Sequence, residues 1–178
     1  GSSFILMKEG LRELSAYEVA AMRMLSAGVI LLPFALKAFR EIKQKEFWLI
    51  LITGLLGSFI PAILFCVAET KIDSALAGML NALTPLFVIL VGVIFFQSKT
   101  VWQKTLGVLI GFAGMIILFL GNGIHIETEH LIFSSLILIA TLCYGLNVNI
   151  IGRYLKHIPS IQIAAIYFDS LILPSLLL

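Results

Sequence analysis

The sequence predicts an all-α integral membrane protein, built as a multi-span bundle of transmembrane helices. Of its 178 residues, 60% are hydrophobic and only 12% are charged, whereas roughly 25% of the residues in an average soluble domain are charged. The mean hydropathy is +1.08. A soluble core does not need that much apolar surface, so the chain is expected to lie in lipid.

Six apolar stretches are long enough to cross a bilayer. A transmembrane helix needs about 20 apolar residues, and spans are predicted at 17–39, 47–68, 74–96, 101–120, 131–151 and 160–178. The apolar run at residues 1–7 covers only about 10 Å of helix, so it is expected to be the end of a further span. The last span also ends abruptly, and we therefore expect a chain that is truncated at both ends.

The basic residues indicate an orientation in the membrane. Eight of the twelve Lys and Arg residues lie in or beside the loops at 40–46, 97–104 and 152–159, against three on the other side. By the positive-inside rule these three loops are predicted to be cytoplasmic. The loop at 121–130 has no Lys or Arg and is predicted to be outside. This makes the chain a multi-pass protein of the cytoplasmic (inner) membrane.

A weak internal repeat is visible at an offset of 144 residues. It gives six identities in 34 ungapped positions, among them Gly145 on Gly1 and Ser170 on Ser26. Both copies contain the end of a span, a short charged loop and a long span. One period holds five crossings, an odd number, so the second copy is predicted to be inverted. Inverted repeats are characteristic of secondary transporters, whose halves alternate around a midplane site.

Three segments carry a family likeness: residues 1–4 followed by Lys8 and residues 20–23, the small-residue helix at 73–87 with its Thr-Pro step, and the glycine-rich stretch at 107–114. Together they resemble the drug/metabolite transporter superfamily, EamA-like transporter family. The resemblance covers essentially the whole chain and implies ten helices in two inverted five-helix repeats.

On that division, residues 1–121 are the first repeat, without the front half of helix 1, and residues 131–178 are helices 6 and 7 of the second. One departure concerns the end of helix 4, where many members have Glu before a basic residue. This chain has Ser98 before Lys99, so no role of that Glu is carried over.

Two charged residues lie deep within predicted spans. Arg23 is about 9 Å from the outer end of its span, and the cost of a charge at depth suggests a functional role. The alternatives are snorkelling to the interface or a structural pair with Glu18 or another helix. Arg23 also matches an arginine of the family by position. Asp169 lies about 15 Å into its helix, where it could exchange a proton, contact a substrate amine or form a buried hydrogen-bonded pair.

A polar cluster interrupts the fourth helix. Asn81 and Thr84, at i and i+3, share one face, and Pro85 removes a helical hydrogen bond. Such a cluster suits a surface that contacts substrate, although interhelical hydrogen bonding is the plain alternative.

Ser3 and Asn147 are equivalent in the repeat, and Tyr144 near them fits either a substrate path or an interfacial belt. The complete set predicted to line the substrate cavity is Ser3, Arg23, Asn81, Thr84, Pro85, Tyr144, Asn147 and Asp169.

Other features have structural interpretations. Gly107, Gly111 and Gly114 predict close helix packing, because glycine lets a neighbouring backbone approach. Glu69 and Asp73 flank a lysine in an outer loop and are expected to form a solvated face.

Several classes of site are not expected. His125, Glu127, Glu129 and His130 lie in one unconstrained loop, so no metal site is predicted there. Cys66 and Cys143 are interpreted as small hydrophobic residues. Phosphate-binding glycine loops and nucleophile elbows are absent from the sequence, so neither a cofactor nor a primary pump is expected. A net charge of +2 is too small to indicate a nucleic-acid partner.

The expected function is therefore secondary transport of small metabolites by alternating access, without enzymatic activity. The resemblance suggests export of amino acids or related compounds. The expected partners are the lipid bilayer and a small-molecule substrate, while a coupling proton and assembly as a homodimer stay open. The alternatives are a membrane-embedded lipid-modifying enzyme and an accessory membrane subunit.

Overall fold

The structure, a computed structural model, describes residues 2–98, 102–121 and 128–172 and forms seven helices over that part of the chain. They are α1 (Ser2–Gly10), α2 (Ala16–Ala38), α3 (Gln44–Glu69), α4 (Ser74–Phe96), α5 (Trp102–Gly121), α6 (Thr128–Ile150, continued by a π-helical turn at Ile151–Leu155) and α7 (Ser160–Ser170).

Four helical segments among the described residues are long and apolar enough to cross a membrane: Ala16–Ala38, Gln44–Glu69, Ser74–Phe96 and Leu131–Leu155. Their outer surfaces carry large apolar side chains such as Ile30, 71% exposed, and Phe95, 69% exposed. Apolar exposure on this scale would be unfavourable in water and suits contact with lipid. The prediction of an all-α, multi-span membrane protein is confirmed.

Two spans begin with caps that satisfy backbone N–H groups, and the first of these caps is reciprocal. At the start of α2, the Ser15 N–H donates to Glu18 Oε2 at 2.8 Å, and the Glu18 N–H donates to Ser15 Oγ at 3.3 Å. At the start of α3, the Lys43 N–H donates to Glu46 Oε2 at 3.0 Å. These bonds fix where each helix starts, because the first turn has no helical acceptors of its own.

Helix α6 lies at the centre of the bundle and packs against α3 and α4, while α2 packs against α7. The close contact of α6 with α4 depends on Gly145, where a Cβ atom would lie 2.9 Å from the Phe87 carbonyl oxygen. Helices α2 and α7 are the two that the 144-residue offset makes equivalent. They approach at Gly28, where a Cβ atom would lie 3.0 Å from the Phe168 carbonyl oxygen. The division into repeats stays a prediction.

Side-chain contacts gather the loops at the two ends of the bundle. At one end, His157 bonds to Glu46 at 2.8 Å and Arg153 donates to the Phe96 carbonyl at 2.6 Å. These contacts join the three loops that the charge pattern assigns to one side of the membrane. At the opposite end, Lys8 pairs with Asp73 at 3.2 Å.

The glycines predicted to mediate helix packing have open surroundings. A Cβ atom at Gly107, Gly111 or Gly114 would meet nothing within 4 Å. Helix α5 thus makes no close backbone approach at these positions to the rest of the described chain, and their packing role stays a prediction.

Replacing Gly145 by alanine should destabilise the bundle, because the added methyl meets the rigid backbone of α4. We expect a loss of about 1–3 kcal/mol in the free energy of unfolding, the range for overpacked cores. Unfolding in detergent followed by circular dichroism measures it. Gly152→Ala is the matched control, since a Cβ atom there meets nothing within 4 Å. Equal stability of the two variants would contradict the packing.

Candidate functional site

A cavity of about 550 Å³ opens among the middle portions of α2, α3, α4 and α6. Its volume lies within the range of roughly 300–1,000 Å³ that is usual for small-molecule sites. The residues that line it are Met7, Arg23, Met24, Ala27, Gly57, Ser58, Ala62, Phe65, Asn81, Thr84, Tyr144 and Phe168.

One wall of the cavity is a break in the regular hydrogen bonding of α3. Pro61 has no N–H to donate, and around it the helix widens into a π-helical turn at Leu55–Phe59, with the Ile60 N–H bonded to the Leu55 carbonyl. Turns of this kind are rare and occur frequently at functional sites. Gly57 and Ser58, inside the turn, face the cavity.

Another part of the cavity wall is a second proline break, in α4. Pro85 leaves the Asn81 carbonyl without its usual helical donor, and Thr84 Oγ1 donates to that carbonyl at 2.7 Å. The same hydroxyl lies 3.3 Å from Asn81 Oδ1. The hydroxyl of Thr84 thus compensates for the proline, and both polar side chains remain at the cavity wall.

Arg23 is the charged residue among those that line the cavity. Its Nη1 donates to the Met7 sulfur at 2.6 Å, and a thioether is only a weak acceptor. The alternative pairing with Glu18 does not occur, since the Glu18 carboxylate accepts from the Ser15 backbone. Within the described residues no carboxylate forms an ion pair with Arg23, so its guanidinium retains donors for a ligand.

The other side of the cavity is apolar and aromatic. The Phe65 and Tyr144 rings lie with their centroids 6.3 Å apart, and Met24, Ala27 and Phe168 complete this side. Tyr144 therefore takes a place in the cavity wall, the first of the two positions considered for it from the sequence.

Four of the eight predicted residues meet at this cavity: Arg23, Asn81, Thr84 and Tyr144. Of the other four, Pro85, Asn147 and Asp169 do not line it. Pro85 lies in a groove between α4 and α5. Asn147 packs behind the wall against Gly57, and its buried Oδ1 has no hydrogen-bond partner. Asp169 is half-buried on α7, and the side chain of Ser3 lies outside what the structure describes.

One expectation about charged residues is wrong. Glu69 does not lie on a solvated face, because its side chain packs between helices and is only 1% exposed. Asp73, its expected neighbour on that face, is exposed as predicted. The metal-like residues at 125–130 lie outside the side chains that the structure describes.

The sequence reasoning also missed Gly57 and Ser58 as cavity residues. Their position just before Pro61 could have indicated them, since a proline leaves the carbonyl four residues earlier without its helical hydrogen bond. The same rule did identify Asn81 before Pro85.

The arrangement suits a small amphipathic anion. A guanidinium binds a carboxylate through paired, charge-assisted hydrogen bonds. The amide of Asn81 and the hydroxyls of Thr84, Ser58 and Tyr144 offer further polar contacts, and the apolar side can enclose a hydrocarbon group.

Comparison with known proteins gives relatives among membrane transporters. The chain is 25% identical over 118 residues to an "uncharacterized transporter" of Archaeoglobus fulgidus, covering 66% of this chain and 42% of that protein. It is 30% identical over 105 residues to an "uncharacterized transporter in sor 3'region" of Acidianus ambivalens, covering 59% and 39%.

A WAT1-related protein of Arabidopsis thaliana is 29% identical over 125 residues, covering 63% of this chain and 35% of that protein. The chain thus spans about two fifths of the length of these relatives. No solved structure gives a significant match.

The family model of the EamA-like transporter family matches residues 1–120, about two thirds of the chain. The match includes the helices that carry Arg23, Asn81 and Thr84. The chain therefore belongs to the EamA-like transporter family.

Proposed function

We propose that the protein is a secondary transporter of small metabolites that carry a carboxylate, amino acids among them, and that the cavity around Arg23 is its substrate site. One observation carries the proposal. The cationic side chain of Arg23 lies in a cavity of suitable size, and it donates a hydrogen bond to the Met7 sulfur, which is a weak acceptor. A substrate carboxylate would be a much stronger partner.

The proline breaks in α3 and α4 are proposed as the points at which the helices bend during transport. Helices α3 and α4 each deviate from regular helix at the cavity wall, at Leu55–Phe59 and at the turn after Asn81. Such irregular points are where membrane helices bend. In alternating access, bending there would open the cavity toward one side of the membrane while the other side closes.

The family resemblance supports the remaining features of the proposal, namely export across the cytoplasmic membrane and two inverted repeats. The alternative of a lipid-modifying enzyme gains no support from this cavity, whose described lining residues include a single charged side chain.

Replacing Arg23 by glutamine should weaken binding of a carboxylate substrate by about 10- to 100-fold, the equivalent of hydrogen bonds to a charged group. The probe is L-leucine, compared with L-leucinamide, which has no carboxylate. The measurement is counterflow of labelled leucine into proteoliposomes that contain the full-length protein. We expect leucinamide to compete poorly with leucine in the wild type.

Arg12→Gln is the matched control, because Arg12 is exposed and pairs with Glu9 three residues away. It should leave leucine counterflow unchanged. Wild-type competition by leucinamide equal to that by leucine, or normal leucine affinity in Arg23→Gln, would refute the assignment of the carboxylate to Arg23.

Enlarging Ala27 to leucine should make the cavity selective for smaller substrates, because Ala27 lies on its apolar side. Overpacking of this kind amounts to about tenfold or more in affinity for a large ligand. We therefore expect L-phenylalanine to compete at least about tenfold less well against labelled leucine, with a smaller effect on L-alanine.

The control is Ala113→Leu, which adds the same group at an exposed position on α5. It should not alter the order of competitors. An equal loss for alanine and phenylalanine in Ala27→Leu would argue against a substrate side chain beside α2.

A further inference from the structure

Glu69 is the last residue of α3 and lies where few groups stabilise a charged carboxylate. Its side chain is 1% exposed, and its Oε1 has no hydrogen-bond partner among the residues that the structure describes. Its Oε2 accepts only a long hydrogen bond of 3.4 Å from Ser74 Oγ. A buried carboxylate with a free oxygen is strongly disfavoured unless it binds a cation or a proton.

Two basic residues that line the same cavity as Glu69 are engaged with other acceptors. Lys8 Nζ donates to the Ile72 carbonyl at 2.9 Å and to Asp73 Oδ1 at 3.2 Å. Arg12 pairs with Glu9 at 2.8 Å. Within the described residues no ion pair includes the Glu69 carboxylate.

Glu69 nevertheless lies at the edge of a cavity. It lines a second cavity of about 430 Å³, formed by α1, the end of α3 and the start of α4. We call this cavity the vestibule; its lining residues are Ile5, Lys8, Glu9, Leu11, Arg12, Glu69, Thr70 and Ser74. Water in the vestibule can bring a proton to the Glu69 carboxyl group.

Glu69 also lies next to the substrate cavity. Phe65, one helical turn earlier on α3, lines the substrate cavity, as does Met7, the neighbour of Lys8 in sequence. Met7 also connects the two sites, because its sulfur accepts a hydrogen bond from Arg23 Nη1 at 2.6 Å. The carboxylate thus stands at the boundary between the vestibule and the arginine that would hold a substrate.

We propose that Glu69 is a proton-binding site whose occupancy is coupled to anion binding at Arg23. A proton passes from a hydronium ion in the vestibule to an oxygen of the Glu69 carboxylate, which leaves water and the neutral acid, and no other bond forms or breaks. Neutral Glu69 no longer attracts the Arg23 guanidinium, so Arg23 attracts a substrate carboxylate more strongly. By reciprocity, a bound carboxylate favours protonation of Glu69.

Other groups around Glu69 set the background for this coupling. The charged and titratable ones are Lys8, Glu9 and Arg12 on α1, Arg23 on α2, Cys66 on α3, and Lys71 and Asp73 in the following turn.

The proton site can be tested on the chain itself, without any transport. The measurement is the infrared difference spectrum of the detergent-purified chain between about pH 9 and about pH 6, a range in which exposed carboxylates stay ionised. We expect a C=O band of a protonated carboxylic acid at the lower pH. Glu69→Gln should remove the component that belongs to Glu69, whereas Glu9→Gln, in the same vestibule but exposed and paired, should leave the band unchanged.

Glu69→Asp covers the case in which the glutamine variant does not fold. An aspartate should keep the band and shift its frequency. The site is disproved if the wild type shows no such band, or if neither variant at Glu69 changes it.

The coupling to substrate rests on the proposed transport function and has its own readout. In the full-length protein, leucine should bind about tenfold more tightly at about pH 6 than at about pH 8, within the usual range of coupling between sites. In Glu69→Gln, which resembles the protonated state, affinity should not depend on pH. An unchanged pH dependence in this variant overturns the coupling, whereas failure of the wild type to bind leucine contradicts the transport proposal and leaves the infrared result to decide the proton site.

Discussion

The structure depends on the requirement that a backbone in lipid must satisfy its own hydrogen bonds. Helices meet this requirement everywhere except where a proline removes a donor, and Pro61 and Pro85 create two such places in α3 and α4. Near Pro61, a π-helical turn at Leu55–Phe59 changes the hydrogen-bond pattern, and near Pro85 the Thr84 hydroxyl donates a hydrogen bond to the Asn81 carbonyl. The π-helical turn and the Thr84 hydroxyl both border the same cavity. The irregular backbone therefore lies beside a cavity that can hold polar groups.

The same requirement explains why the charges are placed as they are. Most ionisable side chains lie at helix ends, where caps and loop contacts such as Ser15 with Glu18 hold them near water. Arg23, within α2, and Glu69, at the end of α3, differ from these, since each lies beside a cavity and lacks a strong partner within the described residues. In a membrane protein such a residue is a hypothesis of function by default, and here the two cavities adjoin at the neighbouring residues Met7 and Lys8.

Much of the fold could be predicted from the sequence, because lipid imposes a long apolar run on each span. The helices α2 to α6 occupy the predicted stretches to within a few residues. The candidate site was harder to predict. Arg23 was predicted from its depth in a span and its match to the family, and Asn81 and Thr84 were predicted from the neighbouring proline. Asp169 was predicted from its depth alone, and depth does not say which face of a helix a residue occupies. Glu69 was misplaced because hydropathy put it in a loop, whereas packing of α1 over the end of α3 buries it.

The central claim is that substrate binds between the two proline breaks, with its carboxylate on Arg23. The most direct measurement is an electron cryomicroscopy structure of the full-length protein with bound L-leucine. We expect density for the ligand against the Arg23 guanidinium, bordered by Gly57 and Ser58 on one side and by Asn81 and Thr84 on the other. Leucine density confined to another place, such as the groove between α4 and α5, would contradict the claim.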